Sequence, residues 1–120
     1  MKRVIKFKAK RQDNGEWVIG DLLHSYENSV IIVPIEGGGA FSVDPSTVCQ
    51  LTGLKDEDEN DIFEGDLLAE KRFPMYEVGY VNSEFAASYI GENTFIFKLP
   101  ALSKGCVVCG SIYDRKEGGK

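Results

Sequence analysis

The stretch Thr47–Leu68, TVCQLTGLKDEDENDIFEGDLL, constrains the fold more than any other part of the chain. It opens on a short apolar run and passes a Thr52-Gly53 turn signal. A polar tract from Asp56 to Asp61 follows, then Ile62-Phe63, and Glu64-Gly65-Asp66 leads into a second apolar run. Glycine takes positive φ without a Cβ penalty, and an aspartate can accept from nearby backbone amides as a turn closes. The pattern predicts two strands flanking a long polar hairpin, with a sharp turn at Gly65-Asp66 that re-aims the second strand.

The remaining chain reads as further strands. Ile5, Phe7 and Ala9 alternate with Lys6, Lys8 and Lys10, the period of a half-buried strand. Gln12-Asp13-Asn14-Gly15 predicts a hairpin whose Asn-Gly pair takes positive φ at both positions. The return strand carries Trp17 and Ile19 and is expected to end at Gly20-Asp21. Gly20-Asp21-Leu22-Leu23 and Gly65-Asp66-Leu67-Leu68 repeat the same four residues. Both are expected to be one device, a glycine kink with an aspartate closing a turn. Val30–Ile35 is continuously apolar, as in a strand buried on both faces. Ala40–Val43 is the next strand, and Asp44-Pro45-Ser46 predicts a single capped helical turn. Residues 76–81, 85–90, 94–99 and 106–113 have strand composition, and no segment of ten residues carries a clean helical period. The class is all-β.

A chain of 120 residues is one domain by length and long enough to bury a core. No apolar run approaches the ~20 residues of a membrane helix. Met1-Lys2-Arg3 leads directly into a strand pattern rather than a signal-peptide core. With three cysteines and no export signal, the expectation is a cytoplasmic protein with reduced thiols. A net charge of −5 disfavours nonspecific binding to nucleic acid or anionic lipid.

Val43-Asp44-Pro45-Ser46-Thr47-Val48, Gln50-Leu51-Thr52-Gly53-Leu54-Lys55-Asp56 and Ile62-Phe63-Glu64-Gly65-Asp66-Leu67-Leu68 together resemble the signature of the YopX family. Further matches lie in Ile5-Lys6-Phe7-Lys8-Ala9, Gly20-Asp21-Leu22 and Gly110-Ser111-Ile112-Tyr113-Asp114, while residues 69–104 match weakly. The family comprises small proteins of bacteriophages, prophages and their bacterial hosts. The resemblance implies an SH3-like barrel core with additional strands and hairpins over residues 1–120, and no established biochemical activity. Its signature maps here onto Thr52, Gly53, Leu54, Asp56, Glu64, Gly65 and Asp66. Where the family carries a hairpin glycine, this chain has Asn60-Asp61, and asparagine tolerates the left-handed geometry.

Several patterns that invite chemistry fail on inspection. Asp56, Asp58 and Asn60 match positions 1, 3 and 5 of an EF-hand loop, but position 6 is Asp61 and position 12 is Leu67, so an exposed hairpin tip is expected instead. Cys106 and Cys109 have redox spacing but sit in strand composition, where residues three apart face opposite ways. A zinc site would require Cys49 and the single histidine, His24, to converge on them. His24 beside Ser25 is no catalytic dyad by sequence adjacency, and no role in catalysis falls to any residue. Neither cofactor nor enzymatic activity is expected.

Charge placement is more informative. Six of the fourteen basic residues lie in the first eleven positions, and eight of the nineteen acids lie between Asp56 and Glu70. One reading makes Lys6, Lys8 and Lys10 guards on an exposed edge strand. The other makes them a patch that meets an oppositely charged partner. The functional expectation is a non-enzymatic, homo-oligomeric assembly or adaptor module, with a phage or host protein as the alternative partner. Lys6, Lys8 and Lys10 are its charged contacts and Phe73, Met75 and Tyr76 its apolar ones. The alternative is a nucleic-acid-binding module using the N-terminal basic strand with Phe7, Trp17 or Tyr26.

Overall fold

The computed structural model describes residues 6–24, 29–34, 37–70 and 73–114, and these form two compact units, Met1–Leu51 and Thr52–Lys120. They are all-β: antiparallel sheets, with helix limited to short turns. Among the described residues no helix is long and apolar enough to cross a membrane.

In the first unit, β1 (Phe7–Lys10), β2 (Trp17–His24), β3 (Val30–Val33), β4 (Phe41–Val43) and the start of β5 (Cys49–Lys55) lie in the order β4-β3-β2-β1-β5. The alternation around Phe7 and Ala9 does what its period demands. Ala9 is fully buried with Val30, Ile32 and Val43, and Phe7, Val18, Leu22 and Val48 pack around them. β4 is held on both sides. It pairs with β3, and Ser42 O accepts from Gln12 N (3.0 Å) while Asp44 N donates to Lys10 O (2.8 Å). One 3-10 turn, Pro45–Thr47, joins β4 to β5. Asp44 caps it through Ser46 N (3.0 Å), and the Thr47 hydroxyl accepts from Lys10 N (2.9 Å).

Four expectations are corrected here. β2 does not stop at Gly20 but continues to His24, and Gly20 is where it changes partner. Residues 17–20 pair with β1, and residues 21–24 pair with β3. A Cβ at Gly20 would overlap the Val33 carbonyl and lie 2.7 Å from Pro34 Cα, so close approach, not positive φ, requires glycine. The repeated Gly-Asp-Leu-Leu is therefore two different devices. In the first hairpin only Gly15 has positive φ (75°); the loop is longer than two residues, with Arg11 N bonding Glu16 O and Gly15 N bonding Arg11 O. β3 is fully buried on one face only: Val30 and Ile32 are interior, Ile31 and Val33 half-buried, and Ile35 lies outside the described residues.

In the second unit β5 runs on and turns back into β6 (Asp61–Phe63). β7 (Asp66–Glu70), β8 (Phe73–Val81), β9 (Glu84–Tyr89), β10 (Phe97–Lys98) and β11 (Val107–Ser111) form a sheet ordered β10-β9-β8-β7-β11. Its core is Ile62, Leu68, Tyr76, Val78, Ala87, Leu99 and Cys106. The strand expected over 94–99 shrinks to β10, because Leu99–Ser103 forms a short helix, α1. Pro100 causes this: its fixed φ suits a first helical turn, and it has no N–H to offer a strand.

Candidate functional site

The signature stretch builds structure around two buried carboxylates. Asp56 was expected at an exposed tip and is instead 4% exposed. Its Oδ1 accepts from Asp58 N (2.9 Å) and Asn60 N (2.8 Å), and its Oδ2 accepts from Val108 N in β11 (2.8 Å). Glu57 N adds a bond to Cys106 O (3.0 Å), so the hairpin tip is sewn to the edge of β11. Burial pushes the Asp56 carboxyl up, but the N–H donors of Val108, Asn60 and Asp58 outweigh it and hold the group below the usual carboxylate range. Within the tract Asp56–Asp61, Glu57, Asp58, Glu59 and Asn60 are exposed. The left-handed residue of this turn is Glu59 (φ 69°), not Asn60 or Asp61.

Asp66 is 1% exposed and accepts from Phe63 N (2.8 Å), closing the turn on which Gly65 sits at φ 85°. Gly65 N donates to Val78 O (2.7 Å) and Gly65 O accepts from Ile112 N (2.9 Å), so the turn also ties β8 to the end of β11. Thr52 Oγ1 bonds Ile62 O (2.8 Å), Gly53 has φ 87°, Leu54 packs against the core and Glu64 is half-buried. Asp56 and Asp66 each accept from backbone amides, and so brace the two turns. Among the described residues no group of three or more His, Cys, Asp or Glu is placed to hold a metal ion. Cys49 and Cys106 are buried, Cys109 is exposed, and His24 is exposed at the end of β2. Burial pushes the Cys106 thiol up, which keeps it protonated.

A surface that sets cations against an aromatic ring lies in the first unit. Lys8 and Lys10 do not guard an edge, because β1 lies between β2 and β5. Their register places them beside Ile19 and Trp17. Lys8 Nζ stands 4.5 Å and Lys10 Nζ 5.4 Å from the Trp17 ring centroid, a cation–π arrangement. Lys6, just before β1, is half-buried. Further along β2, Ile19 is 44% and Leu23 51% exposed. Just past the end of β1, Arg11 stacks on Phe41 (4.2 Å) and pairs with Asp13 (2.6 Å). Tyr26 lies outside the described residues. Ile19 stands on the return strand that the sequence predicts, whereas Leu23 belongs to the continuation of β2 past Gly20; the alternation Trp17, Ile19, Asp21, Leu23 is the signal that joins them.

Of the apolar contacts expected in the second unit, Tyr76 is buried and Met75 half-buried. Tyr76 is 7% exposed, stacked on Tyr89 with centroids 5.5 Å apart, and Met75 packs against the core. Phe73 lies in β8, and its side chain is outside the description.

No curated protein matches the chain. Among solved structures it is similar to protein EF1440 from Enterococcus faecalis, at 19% identity and a TM-score of 0.56, over 99% of this chain and 100% of that one. At that identity the likeness shows the fold alone. The family model described as YopX protein matches residues 6–117, with the Asp56 and Asp66 turns inside the match. The chain belongs to the YopX family.

Proposed function

We propose that this YopX-family protein is a non-enzymatic assembly or adaptor module of phage or prophage origin, homo-oligomeric and cytoplasmic, whose working surface is the outer face of the first unit. Residues 1–120 are read as one domain of the family, with an SH3-like barrel as its first unit. Supporting the barrel are the strand order, the 3-10 turn before β5, and the bonds from Gln12 and Asp44 that join β4 to the end of β1. The observation that carries the functional reading is the exposure of Ile19 and Leu23 on the same strand as Trp17, with Lys8 and Lys10 over the indole. Large apolar side chains beside aromatic and cationic ones are the composition of an interface centre. Sedimentation velocity tests it: Ile19→Glu with Leu23→Glu should leave the melting temperature near that of the parent and abolish self-association. A double variant that sediments like an associated parent removes this face from consideration.

Nucleic acid is the second reading. What favours it is that lysines meet Trp17 and Arg11 meets Phe41, pairing cations with aromatic rings as single-strand binders do. Filter binding across a salt series separates the two. Phosphate contacts give a steep fall in affinity with salt, and an adaptor retains no nucleic acid at any salt.

A further inference from the structure

The face of the first unit and the hairpin tip of the second carry opposite charge. Residues 1–51 hold six of the fourteen basic and six of the nineteen acidic side chains, so the net charge of −5 lies wholly in residues 52–120. Among the described residues of the first unit the basic groups Lys6, Lys8, Lys10 and Arg11 fall on or next to β1, and Lys8 pairs across from exposed Ile19. Within the second, Glu57, Asp58 and Glu59 project at the tip of the β5–β6 hairpin, and the Asp56 carboxylate fixes that tip by its backbone amides. A fixed acidic projection loses little freedom when it docks, which favours it as a ligand over a mobile acidic tail.

We infer that the Lys8–Lys10–Trp17–Ile19 face receives the Glu57–Glu59 hairpin tip of a second copy, so that copies join head to tail. The inference rests on the reading of this face as an assembly surface. Two different patches of one chain make a heterologous contact, which closes into a ring or runs on as a filament. Charge sets the register, with Lys8 and Lys10 meeting the tip carboxylates beside Ile19 and the indole.

Charge exchange tests this with light scattering after size separation, at ~100 μM protein and low salt, where surface electrostatics act most strongly. Variant one carries Lys8→Glu and Lys10→Glu; variant two carries Glu57→Lys and Glu59→Lys. Each alone is expected to be monomeric, because its face and tip then have the same sign. Mixed in equal amounts they are expected to reassemble to the parent's mass, since each tip again meets a face of opposite sign. Ile19→Glu serves if variant one does not fold. Mixed with variant two it should give a heterodimer and nothing larger, because one contact is intact and the other is blocked twice. If variant two alone stays assembled while variant one or Ile19→Glu dissociates, face meets face; head-to-tail joining is then overturned and the assembly reading stands. Retained assembly in both variants, or no reassembly on mixing, overturns the inference. A monomeric parent overturns the inference and the homo-oligomeric reading together.

Discussion

Asp56 shows how far a single side chain departs from its sequence neighbourhood. In a run of acids it has the composition of a solvated tip, yet it is buried and accepts from three backbone amides. Asp56→Asn replaces a charged acceptor with a weaker one and should cost about 1–3 kcal/mol in chemical denaturation, whereas Asp58→Asn, at an exposed position, should stay within ~0.5 kcal/mol. The pH dependence follows from the lowered pKa. An unfolded aspartate titrates near 3.8 and the folded group below it, so the carboxylate's contribution is whole above that range and is lost as pH falls through the folded value. Melts taken from neutral to about pH 3 should show the parent losing more stability than Asp56→Asn. Equal acid losses would mean that the carboxylate is not the group holding the tip. Glu59 makes the opposite case, an ordinary residue held at φ 69°. Glu59→Gly should raise stability by about 0.5–1 kcal/mol, since the left-handed penalty exceeds the entropy that glycine adds to the unfolded chain.

Local signals dictate most of the elements. The Gly65-Asp66 turn, the Asp44 cap and the alternation of β1 are legible because each depends on residues within a few positions. Gly65→Val should therefore cost about 1–3 kcal/mol in a melt, as a β-branched residue forced to positive φ, and a parent-like melt would dissolve the turn's role. What the sequence conceals is pairing. Gly20 looks like Gly65 because the same Asp-Leu-Leu follows, but its glycine is required by Val33 and Pro34, residues from a strand whose position no local pattern reveals. Gly20→Ala should thus cost about 3 kcal/mol or more despite permissible backbone angles, the penalty of overpacking against backbone that cannot retreat. Residues 69–104 were least legible for a related reason. Their strands are interrupted by a register shift at Leu68/Ala69 and by Pro100, so neither period nor turn spacing marks their ends.

At the scale of the whole molecule, the central stretch Thr47–Leu68 and the surface proposed to act are different parts of the chain, both inside the family match. Asp56 and Asp66 of the signature accept from backbone amides, while the lysines and the indole gather where β1 and β2 pair. The candidate lysines were legible from their spacing. Trp17 and Ile19 were legible on the return strand but Leu23 was not, because it needs the continuation of β2 past Gly20, and Tyr76 had the composition of a contact but fills the core. Trp17 is the chain's single tryptophan, and it stands at the centre of the proposed surface. Its fluorescence therefore reports on that surface alone. As protein is concentrated from ~1 to ~100 μM at low salt, the emission should move to the blue and acrylamide quenching should fall, with both changes reversed by salt. Emission and quenching that stay constant while the protein associates would place the contact elsewhere and contradict the account.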